Sequence, residues 1–420
     1  MTRRGQSGHS TGGMPSVASV QQIRSHFPAI GRRHNGYPAA YFDGPGGTQV
    51  PREVADAVSD YLLHHNANTH WAFPTSRETD EAIKAARRAL ADWVGGAPEE
   101  IVVGANMTTL TFHLGRALGR KWRAGDVVVV TELDHHANSD TWRALAQERG
   151  VEIRTARMRR EDGTLDEEDL FRKLTPGVRL LALGAASNAL GTINDVPRLV
   201  KEAHAVGALV FVDAVHYAAH HAPDVRVWDC DFLACSAYKF YGPHVGVLWG
   251  RRELIEKLDA PRLEPAESAA PERLETGTLN HEGIVGAGAA VDFLASLTGG
   301  GASRRERLLR VSEELHARGQ ALFAQLWQGL GTIPGVARYG PPPGSARTPT
   351  VSFTLANCDS RAVATALADR GVFVSNGDFY ATTVARVLGH EKDGLVRAGC
   401  AAYTTAEEVE RLLDGVRRLA

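Results

Sequence analysis

Short apolar runs alternate with longer amphipathic stretches between about residue 100 and residue 250. The runs are four to six residues long and are rich in Val, Leu and Ile, which is typical of buried strands. The predicted strands are Ile101–Gly104, Val127–Val130, Val151–Ala156, Val178–Leu183, Leu209–Val212, Phe232–Cys235 and Val245–Trp249. Because helical stretches separate most of these runs, we expect an α/β domain with about seven mostly parallel strands.

The pattern changes after residue 250. A long helical region is predicted at Gly283–Leu330, followed by strands near Thr350–Leu355, Gly371–Val374 and Leu395–Ala398 and by a closing helix at Thr405–Leu419. A chain of 420 residues is long for one compact core. We therefore expect a large α/β domain over residues 41–295 and a small α+β domain over residues 296–420, with the segment 20–40 joining the small domain.

The first part of the chain has a different composition. Residues 1–19 are rich in Gly, Ser and Arg and contain few large apolar residues, so a disordered leader is predicted there. The leader lacks the apolar core of a signal peptide, and no run of the chain approaches about 18 consecutive apolar residues. We expect a cytoplasmic protein without a membrane span.

Charge and metal-binding residues exclude some functions. The 47 basic and 49 acidic side chains leave a net charge of −2, so no nucleic-acid partner is expected. The four cysteines form no Cys-x-x-Cys pair, and we expect neither disulfides nor zinc. The adjacent pairs among the 17 histidines cannot share one ion from a strand or a helix, so no metal site is predicted.

One lysine has surroundings typical of a reactive site. Lys239 follows the apolar run Asp231–Cys235 and precedes Gly242–Pro243, where the backbone is expected to turn. Desolvation inside a site lowers the pKa of a lysine amine and makes it a nucleophile toward carbonyls. The commonest use of that chemistry is a Schiff base with pyridoxal phosphate (PLP). A surface lysine in a loop is the alternative interpretation of this stretch alone.

An aspartate upstream favours the first interpretation. Val210–Asp213 is predicted to be a buried strand that follows the helical pattern Val196–Val206. Asp213 would then lie at the carboxyl edge of the sheet, where parallel sheets bind ligands, and its carboxylate would keep a pyridine nitrogen protonated. A helix N-cap is the alternative role. The two strands and the separation of 26 residues (239 minus 213) between Asp213 and Lys239 favour the cofactor role.

Further motifs occur in the same order as in a known family. They are Tyr41-Phe42-Asp43-Gly44, Asn68-Thr69-His70, Met107-Thr108-Thr109, Asp134-His135-His136-Ala137-Asn138, Ser187-Asn188-Ala189-Leu190-Gly191-Thr192-Ile193, Asp213-Ala214-Val215-His216, Ser236 to Pro243, Glu275-Thr276-Gly277-Thr278 and Val396-Arg397-Ala398. With these motifs the chain resembles the class V aminotransferases, specifically their cysteine desulfurase-like branch of PLP-dependent fold type I. The resemblance covers roughly residues 20 to 420.

The phosphate of PLP is expected at the start of a helix. Thr108 and Thr109 follow a predicted strand and open a predicted helix, whose amides and hydroxyls can hold a phosphate. Ser236 is expected to add a hydroxyl. The resemblance also implies that Thr278 reaches the phosphate of a neighbouring subunit, and hence a homodimer with shared active sites.

The remaining cofactor residues are expected around the ring. The resemblance implies that His135 stacks on the pyridine ring and moves protons at the substrate, and that Asn188 and His216 hydrogen-bond the phenolic oxygen. Asp213 is expected to stabilise the electron-accepting ring, and Lys239 to hold the cofactor and remove the proton from the substrate Cα.

An amino-acid substrate follows from Arg397. The resemblance places there the bidentate clamp for a substrate α-carboxylate, which is a geometry that arginine favours. Asn68 and His70 are further expected substrate residues. Asp378 and Tyr380 are expected near the substrate side chain, which would favour a polar group.

The chain departs from the family pattern at several positions. Desulfurases of this branch carry an arginine, two histidines and a persulfide-accepting cysteine in the loop that corresponds to Ser375–Ala381, where this chain has Tyr380 in place of the cysteine. A phenol cannot form a persulfide, so a desulfurase of that type is not expected. Met107 replaces a glycine, Tyr238 a histidine and His216 a glutamine.

Three classes of function remain. The leading one is a PLP enzyme that performs transamination or C–S/β-elimination without a protein persulfide. The second is an amino-acid epimerase of the same superfamily, and the third is a binding protein that retains the fold without turnover. Lys239, Asp213 and Arg397 argue against the third class. The substrate side chain is not predicted by the sequence.

Overall fold

The computed structural model describes residues 16–299 and 303–420. Its helices are α1 (Val20–Ser25), α2 (Arg52–Asp60), α3 (Pro74–Val94), α4 (Met107–Gly119), α5 (Asp140–Arg149), α6 (Glu167–Lys173), α7 (Val196–Ala205), α8 (Val225–Trp228), α9 (Arg252–Lys257), α10 (His281–Ser296), α11 (Arg304–Gly331), α12 (Ser360–Ala368), α13 (Thr382–Leu388) and α14 (Ala406–Arg417). Its strands are β1 (Arg33–His34), β2 (Tyr37–Pro38), β3 (Ala40–Tyr41), β4 (Ile101–Gly104), β5 (Val127–Thr131), β6 (Glu152–Ala156), β7 (Val178–Gly184), β8 (Leu209–Asp213), β9 (Phe232–Ser236), β10 (Gly246–Gly250), β11 (Val336–Tyr339), β12 (Thr350–Leu355), β13 (Val372–Phe373), β14 (Ser375–Gly377) and β15 (Leu395–Gly399).

A mixed sheet forms the centre of the molecule. Within the described residues it has seven strands in the order β4-β10-β9-β8-β7-β5-β6. Strands β5 to β9 pair in parallel, whereas β10 runs antiparallel to both β9 and β4. The predicted α/β architecture of fold type I, with a mostly parallel sheet, is confirmed.

Both faces of this sheet are covered, which explains the continuous apolar runs in the sequence. Every residue of β5 is buried. Val127 and Val129 pack into one hydrophobic cluster and Val128 and Val130 into another, because successive side chains of a strand point to opposite faces. The helices that connect parallel strands supply the two covering layers.

The parallel strands bring their carboxyl ends to one edge of the sheet. Asp213 is the last residue of β8, and Ser236 is the last residue of β9. Asp213 pairs with Ala234 across the two strands. Groups that lie far apart in the sequence therefore meet at this edge, where open α/β sheets bind ligands.

A second sheet is built from the later part of the chain. Its order is β11-β12-β15-β14, and all of its pairs are antiparallel. The prediction included β12 and β15 but not β11 or β14. The predicted strand Gly371–Val374 is the short β13, which pairs in parallel with β3 outside this sheet. The predicted helical region Gly283–Leu330 is two helices, α10 and α11. The division into two domains stays a prediction.

The predicted leader falls mostly outside the described residues, which begin at Ser16. Its last residues are packed. Val17 forms a bridge with Thr298, and the backbone N–H of Ala18 donates to the carbonyl of Leu297 at 2.7 Å. The side chain of Ser19 accepts a hydrogen bond from the backbone of Gln22 and caps α1. Residues 17–19 therefore belong to the folded chain, so the predicted boundary at residue 19 is too late.

The longest helices are amphipathic. α11 has 28 residues and buries only one stripe of them, and α3 has 21 residues. In the described ranges 16–299 and 303–420, no helix combines the length and the apolarity that crossing a membrane requires.

Candidate active site

A cavity of about 990 Å³ opens at the carboxyl edge of the main sheet. It lies between strand ends and the loops that follow them. Its wall contains ten of the predicted site residues, namely Thr108, Thr109, His135, Asn188, Asp213, His216, Ser236, Lys239, Tyr380 and Arg397.

Four predicted site residues do not line this cavity. Asn68, His70 and Thr278 are exposed on the surface of the chain. The carboxylate of Asp378 accepts hydrogen bonds from the backbone N–H of Tyr380 at 3.1 Å and from the Thr382 hydroxyl at 2.6 Å. Asp378 thus holds the loop that forms the wall and does not itself line the cavity.

Lys239 is buried at the base of the cavity. It ends a short 3₁₀ turn directly after β9, and its Nζ donates a 2.6 Å hydrogen bond to the carbonyl of Pro45. Burial and the nearby charge of Arg397 lower the pKa of its amine to about 7, against the charges of Asp213 and Asp43, which raise it. A substantial share of the amine is therefore unprotonated and nucleophilic at neutral pH.

Two buried carboxyl groups, those of Asp213 and Asp134, line the cavity. Burial raises the pKa of Asp213 to about 6, against a hydrogen bond of 2.9 Å that its Oδ1 accepts from the Val215 backbone. Burial and the charge of Asp213 raise the pKa of Asp134 to about 8. Asp134 accepts hydrogen bonds from the backbone of Gly184 at 2.8 Å and from Asn138 at 3.1 Å. At neutral pH Asp213 is thus the ionised member of the pair.

The phosphate-binding prediction falls at the start of α4. Asn106 caps this helix, and its Oδ1 accepts hydrogen bonds from the backbone N–H and the hydroxyl of Thr109, at 2.9 and 3.0 Å. The backbone N–H of Met107 donates to the Ser236 hydroxyl at 3.2 Å. Met107 is the first helical residue and is not among the described residues with a positive φ, so the helix begins there without a glycine.

His135 forms one side of the cavity. Its Nδ1 accepts a 3.0 Å hydrogen bond from the backbone of Ala137. Burial lowers the pKa of the imidazole to about 4, and the charge of Lys239 contributes to this shift. The ring of Tyr380 stacks on His135 with a centroid distance of 5.6 Å and an angle of 25°. His135 is therefore a neutral, flat surface at the cavity wall.

Three buried polar atoms in the cavity wall have no hydrogen-bond partner among the described residues. They are Oδ1 of Asn188, Nδ1 of His216 and Nε of Arg397. A buried polar atom without a partner is costly, and such atoms mark sites that a ligand completes. The residues fit PLP, since Nδ1 of His216 can meet its phenolic oxygen, Nε of Arg397 can donate to a substrate carboxylate, and the start of α4 can hold its phosphate. The amide Nδ2 of Asn188 already donates to the carbonyl of Phe379, so its free Oδ1 can only accept a hydrogen bond.

Arg397 is a buried cation that forms no direct ion pair with a carboxylate among the described residues. It is 4% exposed, and no ion pair among the described residues includes it. Its Nη1 donates to the carbonyl of Asn188 at 2.9 Å, and its Nη2 lies 3.4 Å from the Ser375 hydroxyl. Burial lowers the pKa of the guanidinium to about 9. The charge of Asp43 acts on the guanidinium without a direct ion pair, and an anionic ligand group would supply a directly bound counter-charge.

The loop Asp378–Ala381 closes one side of the cavity. Phe379 and Tyr380 both have left-handed backbone conformations, with φ of 57° and 56°. The carbonyl of Phe379 accepts a 2.9 Å hydrogen bond from Asn188, and its ring lies 4.2 Å from the guanidinium carbon of Arg397. The carbonyl of Tyr380 accepts a 2.7 Å bond from the backbone of His136. Tertiary contacts thus hold an unfavourable local conformation.

No cysteine lies among the described residues that line the cavity. Cys230, Cys235 and Cys400 are buried in the packed interior, and burial raises the pKa of all three thiols. Tyr238 lies next to Lys239 in the wall and stacks on His244 at 4.8 Å. Residues 16–299 and 303–420 contain no group of three or more His, Cys, Asp or Glu side chains that could hold a metal ion.

Sequence reasoning missed several residues that shape the site. Pro45 was not predicted because it acts through its backbone carbonyl, although it directly follows the motif Tyr41-Phe42-Asp43-Gly44. Phe379 stood in the loop that departs from the family pattern, and that departure was the available signal. Thr348 and Thr350, whose hydroxyls contact His216, carried no signal in the sequence.

The sheet, the buried lysine at its carboxyl edge and the neighbouring aspartate define a PLP-dependent enzyme of fold type I. A family model described as Aminotransferase class-V matches residues 40–412. The chain therefore belongs to the class V aminotransferase family, and it is a PLP-dependent enzyme of the cysteine desulfurase-like branch.

Individual relatives cover nearly the whole chain. A cysteine desulfurase from Pectobacterium carotovorum subsp. carotovorum (strain PC1) is 31% identical over 416 residues, which is 95% of this chain and 98% of that protein. The apo structure of cysteine desulfurase from Thermococcus onnurineus NA1 has a TM-score of 0.87 and 28% identity, covering 97% of this chain and 99% of that one. The cysteine desulfurase CsdA (S-sulfonic acid) from Escherichia coli has a TM-score of 0.83 and 27% identity, covering 96% and 98%.

Proposed function

We propose that this enzyme acts on an α-amino acid, by transamination or by C–S/β-elimination, without forming a persulfide on a protein cysteine. One observation carries the proposal. The cavity contains a buried lysine with a lowered pKa and a buried arginine that forms no direct ion pair among the described residues, but none of its lining residues is a cysteine. These groups suit an amino acid and supply no thiol for sulfur transfer.

The cavity residues have separate tasks in holding PLP. The start of α4 and the Ser236 hydroxyl receive the phosphate. Asp213 is ionised at neutral pH and keeps the ring nitrogen protonated, and His135 packs flat against the ring. Asn188 and His216 provide polar atoms for the phenolic oxygen. When bound, PLP supplies an electrophilic carbon for the substrate amine and a ring that accepts electrons from the substrate Cα.

Lys239 and Arg397 act on the substrate. The guanidinium of Arg397 binds the α-carboxylate, which becomes its directly bound counter-ion and fixes the orientation of Cα. Lys239 then removes the proton from Cα, because the low pKa of its amine leaves an unprotonated base at neutral pH. The same amine would then deliver the proton to the cofactor's former aldehyde carbon in transamination, or to the leaving group in elimination.

The loop Asp378–Ala381 explains why no sulfur acceptor is needed. The resemblance implies that Tyr380 stands at the position of the cysteine of related desulfurases, and its ring stacks on His135. A phenol does not accept sulfur from a substrate. The proposed reactions release their products as small molecules, so they require no protein nucleophile at this position.

A panel of amino acids with absorbance spectra of the bound cofactor tests the proposal. Transamination should give a keto acid and the pyridoxamine form, whereas elimination should give pyruvate, with sulfide when the substrate is cysteine. Racemised substrate without either product would instead identify an epimerase. Protein persulfide formed from cysteine, or unchanged spectra with every amino acid, would contradict the proposal.

We also propose that two copies of the chain share their active sites. Thr278, Asn68 and His70 are the predicted site residues that are exposed on one copy. The side chains of Leu63 and Trp71, in the same segment as Asn68 and His70, are 73% and 60% exposed and apolar, which is typical of an interface. Light scattering should give a dimer mass, and a monomer with full activity would contradict this. The cytoplasmic location stays a prediction.

A further inference from the structure

His216 has two different environments at its two ring nitrogens. The residue is 3% exposed. Its Nε2 lies 2.9 Å from the Thr348 hydroxyl and 3.2 Å from the Thr350 hydroxyl. Its Nδ1 is buried and has no partner among the described residues. The ring therefore presents one satisfied and one unsatisfied nitrogen, and it belongs to the cavity wall.

The ring is neutral at physiological pH. Burial lowers the pKa of His216 well below the usual value of 6.5, and the nearby charges of Arg397 and Lys239 act in the same direction. A neutral imidazole carries one N–H, so one nitrogen donates and the other accepts. Which nitrogen carries the proton decides whether His216 offers a donor or an acceptor at Nδ1.

The two threonine hydroxyls decide this question. Among the hydrogen bonds of the described residues, each hydroxyl has His216 as its partner and no other. A proton on Nε2 would leave both buried hydroxyl hydrogens without an acceptor. A proton on Nδ1 leaves the single lone pair of Nε2 free to accept from the nearer Thr348 hydroxyl at 2.9 Å, with the Thr350 hydroxyl sharing it at 3.2 Å, so this tautomer leaves fewer buried hydroxyl hydrogens without an acceptor.

Both threonines are held firmly in place. The side chain of Arg347 is buried, lies 3.6 Å above the Phe323 ring, and donates to the carbonyls of Thr348 at 3.1 Å and Leu190 at 3.2 Å. Arg347 also donates to the carbonyl of Thr350. These contacts connect the threonine segment with the loop that carries Asn188, so the hydroxyls face His216 from a rigid frame.

We infer that Thr348 and Thr350 are positioning residues that fix His216 as the tautomer with its proton on Nδ1, which makes it a hydrogen-bond donor to the phenolic oxygen of PLP. The inference rests on the proposed role of His216 as a cofactor ligand. It explains how a histidine replaces the amide donor of the family glutamine, because an amide always has a donor, whereas an imidazole needs a partner that selects its tautomer.

Nuclear magnetic resonance of the full-length enzyme with labelled histidine tests the tautomer directly. The signal of His216 is identified by its disappearance in His216→Gln. The expected result is a neutral ring with the proton on Nδ1. A proton on Nε2 would overturn the inference. This measurement of the tautomer does not depend on turnover. An enzyme that is inactive toward every amino acid would therefore contradict the proposed function but not the inference about His216.

The pH titration of the bound cofactor's absorbance tests the link to PLP. A donor on the phenolic oxygen disperses its negative charge and favours the less protonated chromophore. Thr348→Val and Thr350→Val, alone or combined, should therefore raise the pKa of the chromophore, with about a tenfold change in its acid dissociation constant for the double variant. Thr348→Ser retains a hydroxyl and should restore the wild-type value.

Two controls separate positioning from a general structural effect. Thr354→Val removes a hydroxyl of the same strand that contacts Tyr339 instead of His216, so it should leave the chromophore pKa unchanged. In the His216→Gln background the valine substitutions should also have no effect, because glutamine needs no tautomer selection. An equal shift in that background, or no shift in the wild-type background, would overturn the inference. If a valine variant fails to fold, the inference is accepted or rejected on the tautomer of His216 measured in the wild-type enzyme.

Discussion

The cavity has two walls that are built in different ways. The inner wall carries Asp213, Ser236 and Lys239 at or directly after the ends of strands in the main sheet. The outer wall is the loop Asp378–Ala381. Two successive residues with positive φ shape this loop, and side-chain hydrogen bonds hold it in place. The sequence motifs predict that the inner wall matches the family pattern and that the outer wall departs from it. The shared chemistry therefore resides in the sheet, and the loop is where a change of reaction is expected.

The largest expected effect is at the inner wall. Lys239→Ala should abolish covalent retention of the cofactor after borohydride reduction, because no other amine replaces the buried Nζ. Loss of the base alone should slow turnover by about 10²- to 10⁴-fold. Mass spectrometry of the reduced protein and a turnover assay measure both. Lys257→Ala, on the exposed part of α9, is the matched control and should behave like the wild type. Cofactor that remains covalently bound to Lys239→Ala would refute the assignment.

A large effect is also expected where the two walls meet. Arg397→Ala should raise KM for an amino acid by a factor that corresponds to about 2–4 kcal/mol, because the α-carboxylate loses a bidentate partner. An amine substrate without the carboxylate should be unaffected. Steady-state kinetics with both substrates make the distinction. Equal losses on the two substrates would show that Arg397 has a structural role only.

The two walls also differ in how far the sequence predicted them. Asp213 and Lys239 were predicted because strand periodicity places them at one edge, and a position at a strand end is a local property. Asp378 was expected to contact the substrate, but its carboxylate caps the loop instead. The left-handed conformation of Phe379 and Tyr380 depends on contacts with Asn188 and His136, which are remote in the sequence. Local patterns carry no information about such contacts.

The pH dependence of cofactor attachment sharpens the description of the inner wall. Because the pKa of Lys239 is lowered to about 7, the reactive unprotonated amine increases as pH rises through 7. Apoenzyme should therefore bind PLP covalently about tenfold faster at pH 8 than at pH 6. Stopped-flow absorbance measures the rate. Arg397→Ala removes a charge that lowers the pKa of Lys239, so the pH midpoint of the attachment rate should move to higher pH. Arg397→Lys retains the charge and should leave the midpoint unchanged. A midpoint near the usual lysine value of 10.5 would contradict the burial argument.

A smaller effect is expected from the outer wall. The ring of Phe379 lies 4.2 Å from the guanidinium of Arg397, which is a cation–π distance. Phe379→Ala should raise KM about 2- to 30-fold, since a contact of this kind contributes about 0.5–2 kcal/mol, with little change in kcat. Phe379→Tyr keeps the ring and is the control. If both variants lose the same affinity, the ring does not hold Arg397.

The smallest expected effect concerns the cysteines, and it tests whether the outer wall has replaced thiol chemistry. Cys230, Cys235 and Cys400 are buried outside the cavity wall, and Cys358 does not line it either. A variant with all four replaced by Ala or Ser should keep its turnover, because no thiol reaches the substrate. Each buried Cys→Ala should cost only about 1 kcal/mol of unfolding free energy, and the spectrum of the bound cofactor reports correct folding. Tyr380→Phe is the companion variant, since it removes the phenol that stands in place of the family cysteine. Loss of turnover in the folded cysteine-free protein, with Tyr380→Phe fully active, would show that a cysteine is the working nucleophile and that the two walls perform desulfurase chemistry after all.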